Sequence, residues 1–262
     1  MATMLPNSGL MGGIYMRTGT LKQVLLITDG CSNQGEHPAH VATMLAEQGI
    51  TVNVIGILED TQSEQPEGLM EVEEIASSGQ GVSQIVYQQA LSQTVQTVTK
   101  QAMTQTLQGV VNKELKQILG NSQSIEELPP DQRGEVMEVV DELGETCDLE
   151  VLVLVDTSAS MTNKLPTVQE ALIDLSISMN ARIGRNRFSI YQFPGKRKPI
   201  HLLIDWTEQL SSISSVFSKI ATGGVTPTGP ALKEAMYQFG KKTLKRRLWR
   251  NDDDPSIEEA GS

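Results

Sequence analysis

The fold class that this 262-residue sequence predicts is α/β: a doubly wound, mostly parallel sheet with one antiparallel edge strand and an added helical segment. Three observations carry it. Val24–Thr28 is an apolar run, the helix-like HVATMLAEQG follows it and closes at Gly49, and Thr51–Leu58 (TVNVIGIL) is apolar again. Strand, helix and strand at this spacing make a βαβ unit and hence a parallel sheet. LEVLVLV, from Leu149, has no polar alternation, the pattern of a strand buried on both faces. Finally, Phe188–Phe193 and Ile200–Ile204 flank the basic turn PGKRKP and read as a hairpin-like, antiparallel pair.

The remaining elements fall between these strands. Residues 1–20 are Gly- and Met-rich with little periodicity and read as an irregular arm. Gly68–Ser77 is amphipathic, with Leu69, Val72 and Ile75 on one side, and SQIVY at 83–87 suits a short edge strand. Residues 88–120 are rich in Gln, Thr and Val and lack proline. Apolar residues recur at Leu91, Val95, Val98, Ala102, Leu107, Val111, Leu115 and Ile118, which predicts one long amphipathic helix or two broken near Met103. Asp131–Gly144 is a helix with Val136, Val139, Val140 and Leu143 inward; Pro166–Asn180, Leu210–Ile220 and Thr226–Phe239 are further helices. The tail from 244 is basic, then acidic. Helices on both faces of such a sheet give a Rossmann-like layout.

Composition excludes several classes. The chain is 39% hydrophobic, enough for a sizeable core, but only 4% aromatic, so Val, Ile, Leu and Met must build it. A net charge of −11 argues against a nucleic-acid or anionic-membrane binder, because phosphate contacts need clustered Lys and Arg. Two cysteines, Cys31 and Cys147, make neither a disulfide scaffold nor a metal knuckle. In a parallel sheet they stand at opposite strand ends, too far apart to bridge. No secretory leader pattern and no run of ~18 apolar residues is present. The expectation is a cytoplasmic protein.

Two strands end in an acid: LLITDG places Asp29 at the tip of the first, and VLVLVDTSASM places Asp156 at the tip of another. Ser158 and Ser160 follow Asp156 at alternate positions. A carboxylate and two hydroxyls at that spacing converge if the backbone curls, and oxygen-only donors suit a hard divalent cation such as Mg²⁺ or Mn²⁺. GGVTPTGPAL adds Thr226, in a glycine loop at a helix start, with Thr228 as its rival. All lie beyond strand carboxyl ends, where open parallel sheets bind ligands.

These three stretches resemble a known family. DTSAS matches the DxSxS signature of von Willebrand factor A (vWA) domains, GGVTPTGPAL is similar to their threonine loop, and LLITDG to their acidic strand end. The resemblance implies a metal-ion-dependent adhesion site (MIDAS) made by Asp156, Ser158, Ser160, Thr226 and Asp29, with the DxSxS and TDG strands side by side. In the family the DxSxS strand opens the domain; here TDG comes first. The chain therefore resembles a circularly permuted vWA domain, and overall it resembles bacterial members of the family. Its late half would occupy residues 21–105, a helical connector 106–146, and the early half 147–243, before the charged tail 244–262.

What the resemblance implies is a non-enzymatic protein-interaction module, with a partner's acidic side chain completing the coordination of the cation. Two other functions fit the family: a metal-binding subunit working beside a separate AAA+ ATPase, and a structural adaptor with a vestigial metal site. Competing readings of the residues are plainer. Ser158 or Ser160 could cap a helix, and Asp29-Gly30 could be a turn. Ser158 lacks the GxSxG setting of a hydrolase nucleophile. His37 and His40 are expected to be surface or packing residues, and no nucleotide-binding or zinc spacing occurs.

Overall fold

The computed structural model describes residues 19–30, 32–58, 66–119 and 125–251. Six strands form one sheet: β1 (Leu21–Thr28), β2 (Ile50–Leu58), β3 (Ser83–Tyr87), β4 (Leu149–Asp156), β5 (Asn186–Phe193) and β6 (His201–Thr207). Their order across the sheet is β3-β2-β1-β4-β5-β6. Every pairing is parallel except that of β6 with β5, which is antiparallel at the edge, as expected. Seven α-helices are present among the described residues: α1 (Pro38–Glu47), α2 (Pro66–Ser78), α3 (Leu91–Leu119), α4 (Pro130–Thr146), α5 (Leu165–Met179), α6 (Ile213–Phe217) and α7 (Thr228–Asn251).

Strand alternation sorts the core into two layers. From β1, Leu25 and Ile27 point to one face, where Val95, Val98, Leu107 and Val111 of α3, Val136 and Val140 of α4, and Leu172 and Leu175 of α5 cover them. Val24 and Leu26 point to the other, under Val41 and Leu45 of α1, Ile75 of α2, and Leu232 and Ala235 of α7. Both faces of β1 and β4 are buried, which is why these strands read as unbroken apolar runs. Gly49 ends the first βαβ turn at φ +71, a left-handed position that glycine adopts without strain.

The Thr-rich stretch makes one unbroken helix. Met103 is buried within α3, and Thr94, Thr97, Thr99 and Thr106 each donate their hydroxyl to the carbonyl four residues earlier. The residue 105/106 boundary falls inside α3, and α3 and α4 share a core with the sheet. Arg182 ties this helical region to the later strands: it donates to the carbonyls of Gly144 (2.7 Å) and Cys147 (2.9 Å), and it lies in the connection from α5 to β5. Burial raises the pKa of the free Cys147 thiol. Cys31, the 1–18 part of the arm, and residues 252–262 of the tail lie outside the described residues.

The sequence overstates one helix. Leu210–Ile220 is helical only at Ile213–Phe217. Ser215 and Ser218 turn their hydroxyls onto the carbonyls of Ser212 and Ser215, and such local bonds compete with helix propagation. In the other direction, α7 continues past residue 243 to Asn251.

Candidate metal centre

β1 and β4 are neighbours in the sheet, with Ile27 opposite Val155, so the residues that follow them, Asp29 and Asp156, emerge at the same edge. Asp156 is wholly buried. One of its oxygens accepts the Thr28 hydroxyl at 2.7 Å and the other the Ser158 backbone N–H at 2.8 Å. The latter bond curls the chain so that the hydroxyls of Ser158 and Ser160 stand 3.1 Å apart. Ser160 then donates to Asp29 Oδ1 at 2.9 Å across 131 residues of sequence. Four of the five expected residues thus form one hydrogen-bonded cluster.

Thr226 joins through its backbone. Its N–H donates to Asn33 Oδ1 at 2.8 Å, and its carbonyl accepts from the Asn33 N–H at 3.2 Å and the Ser32 hydroxyl at 3.3 Å. This fastens the threonine loop to the segment just after Asp29. The loop is fastened to the DxSxS segment as well: the Gly223 N–H donates to Thr157 O at 2.9 Å, and the hydroxyls of Thr222 and Thr162 lie 2.8 Å apart. Thr228, the alternative, opens α7 with its hydroxyl buried and without a hydrogen-bond partner among the described residues.

Burial pushes the Asp156 carboxyl above the usual carboxylate range, and the Asp29 charge pushes it the same way; the bonds from Ser158 and Thr28 oppose both. Two carboxylates so close are an arrangement that a cation stabilises. The donor set fits a hard divalent ion: it offers hydroxyl and carboxylate oxygens, with Asp156 desolvated, and the buried hydroxyl of the alternative, Thr228, has no hydrogen-bond partner among the described residues. No cluster of three or more His, Cys, Asp or Glu exists among the described residues, and His37 and His40 are exposed.

Sequence reasoning missed several members of the cluster. Thr28, Ser32 and Asn33 bind the expected residues directly, and Glu71 accepts the Ser32 N–H on both oxygens, at 2.9 and 3.0 Å. Lys164 is the largest omission: its ammonium is ion-paired with Asp29, with side chains only 2% and 3% exposed. One signal was available, since Lys164 is the sole charged residue between Asp156 and Glu170. A groove of about 620 Å³ opens beside the threonine loop, lined by Lys196, His201, Lys219, Leu202, Val216 and Ile220 among others, with no carboxylate in its lining.

Residues 151–253 and residues 7–101 each match a family model described as the von Willebrand factor type A domain. The uncharacterised protein YabS of Bacillus subtilis (strain 168) is 61% identical over 246 residues, spanning 94% of this chain and 100% of that one. The chain belongs to the von Willebrand factor type A family. It is a vWA protein of the YabS type, and vWA domains are typically protein-interaction modules. A crystal structure of an uncharacterised protein from Alicyclobacillus acidocaldarius has the same fold, with a TM-score of 0.78 and 38% identity over 86% of this chain and 96% of that chain. The two matched stretches of the vWA chain build one sheet, since β1 of the first lies between β2 and β4. No helix among the described residues is long and apolar enough to cross a membrane.

Proposed function

We propose that this vWA protein is a non-enzymatic interaction module that holds one divalent cation, Mg²⁺ or Mn²⁺, and uses it to bind an acidic side chain of another protein. The observation that carries the reading is the hydrogen-bonded chain Ser158–Ser160–Asp29 beside buried Asp156, which unites two strand ends far apart in sequence. Ser158, Ser160 and Thr226 would hold the ion through their hydroxyls, with Asp156 and Asp29 balancing its charge wholly or partly through water. The bound ion would supply an open coordination position for a carboxylate.

The protein's own residues contribute shape and charge. Thr28 and the Ser158 N–H fix the Asp156 carboxylate, and Asn33 fixes the threonine loop. The lysine-bearing groove next to that loop favours an acidic partner, although the whole chain carries a net charge of −11. We infer also that the order of motifs is a circular permutation of the family's, with residues 21–105 and 147–243 as its two halves, and that the protein works in the cytoplasm.

Isothermal titration calorimetry with MgCl₂ tests the site. The wild type is expected to bind one ion, and Asp156→Ala to bind none. The ion should also raise the wild-type melting temperature, because a ligand of the native state alone stabilises it. Equal binding by wild type and variant would remove Asp156 from the site and the reading with it.

A further inference from the structure

Lys164 has no part in the scheme above, yet it is among the most deeply buried side chains of the molecule. It lies at the turn into α5, with the residue 1% exposed, and its ammonium meets Asp29 Oδ2. The same nitrogen donates to the Ser160 carbonyl at 3.3 Å. Asp29 therefore divides its oxygens: Oδ1 takes the Ser160 hydroxyl, and Oδ2 takes the ammonium. A lysine ammonium is a compact point charge on a flexible stem. Here it lies against a backbone carbonyl and the carboxylate that the metal centre shares.

We infer that Lys164 is a built-in cation. It neutralises Asp29 when no metal is bound, so that the fold does not depend on metal, and it makes the site take Mg²⁺ more weakly than its oxygens alone would. The inference rests on the metal-centre reading for its second half. Its physical basis is charge counting in a desolvated place. Asp156 and Asp29 carry two negative charges, and Lys164 returns one positive charge, leaving a net charge of −1 rather than −2 to attract an incoming ion. A positive charge fixed beside a divalent ion repels it strongly where water is excluded. Conversely, a buried carboxylate without its ammonium is an uncompensated charge that destabilises the fold.

The two halves predict opposite signs for one substitution, and a lysine with only a packing role does not produce that. Lys164→Met keeps the length and apolar stem of the side chain and removes its charge. The full chain is compared as wild type, K164M, K164R and the double variant K164M/D29N, by thermal melting in EDTA and by MgCl₂ calorimetry. In EDTA, K164M is expected to melt well below wild type. K164M/D29N should regain most of that loss, because no buried charge remains. In MgCl₂, K164M is expected to bind about tenfold more tightly or better, with a larger rise in melting temperature, while K164R stays near wild type on both readouts.

A wild type that binds Mg²⁺ beside a K164M that binds it equally or more weakly overturns the inference and leaves the metal reading intact. An unchanged melting temperature for K164M in EDTA also overturns it. A wild type that takes no Mg²⁺ beside a K164M that does upholds the inference and removes the metal from the native protein. If neither binds, both fall. Should K164M be unfolded in EDTA, its MgCl₂ titration is followed by circular dichroism: refolding with added ion supports the inference, and failure to refold overturns it.

Discussion

Asp156 is held at the end of β4 by bonds from Thr28 and Ser158, but these only partly offset its loss of water, and its pKa is raised. The consequence for stability has a definite sign. A carboxyl whose folded pKa lies above its unfolded value binds protons more tightly in the folded state. Its contribution is therefore fully present below the unfolded pKa and is lost as pH rises through the folded one. In EDTA, the wild type should lose stability as pH climbs from about 3.9 through the acidic range on account of this group. Asp156→Asn keeps the shape, lets the amide donate to Thr28, and removes the charge. Its melting temperature in EDTA at neutral pH should exceed that of wild type, by about 2–4 °C per kcal/mol for a domain of this size, and its pH slope should flatten. Added Mg²⁺ should reverse the ranking, since only the wild type gains from the ion. A D156N protein that melts below wild type in EDTA at pH 7 would mean that the burial cost is not the dominant effect.

Helices and strands differ in how openly the sequence announces them. β1, β2 and β4 were legible because burial on both faces leaves mostly apolar residues, and the antiparallel β5–β6 pair because a short turn joins two strand-like stretches. α3 was legible as periodicity, but not as one rod, since nothing in composition reports that threonine hydroxyls fold back on i−4 carbonyls and let the helix pass Met103. α6 was overdrawn because Leu210, Ile213, Val216, Phe217 and Ile220 keep helical spacing while the serines between them bond locally. At the candidate centre, the spacing of Asp156, Ser158 and Ser160 was visible in local sequence, and Asp29 by its strand end. Lys164 showed only as an isolated charge and Asn33 not at all, because their partners are 135 and 193 residues away and no local pattern encodes such pairings. Two glycines make the element argument testable. Gly109 is exposed within α3, with open space where a Cβ would stand. Gly109→Ala should stabilise by about 1 kcal/mol, the propensity difference in a helix interior. Gly229, in the first turn of α7, would place a Cβ 1.9 Å from the Glu36 carbonyl. Gly229→Ala should lower the melting temperature and weaken Mg²⁺ binding by shifting the threonine loop. Chemical denaturation and calorimetry on the two variants check the contrast, and a destabilised G109A or a neutral G229A would contradict it.

The molecule as a whole is built around a seam between β1 and β4. Leu21–Ile27 pair with Leu149–Val155 over seven registered positions, and the next neighbour of each strand comes from its own half of the chain. Neither half therefore owns a complete sheet. Residues 1–120 alone would keep β1, β2 and β3 but lose β4, leaving Leu21–Ile27 as a bare edge with both apolar faces short of their cover from α5 and α7. An unpaired apolar edge of that kind favours aggregation over folding. The candidate centre is divided the same way, with Asp29 and Asn33 on one piece and Asp156, Ser158, Ser160, Lys164 and Thr226 on the other. The expectation is that a 1–120 fragment shows no cooperative melt and poor amide dispersion in its NMR spectrum. Mixing it with residues 121–262 should restore a structured complex. Mg²⁺ should bind that complex and neither fragment, because the pieces of the centre meet only when the seam closes. Sharp, dispersed amide signals from the 1–120 fragment by itself would mean that the first half folds as an independent domain, and the proposal of a single permuted domain would have to be given up for two.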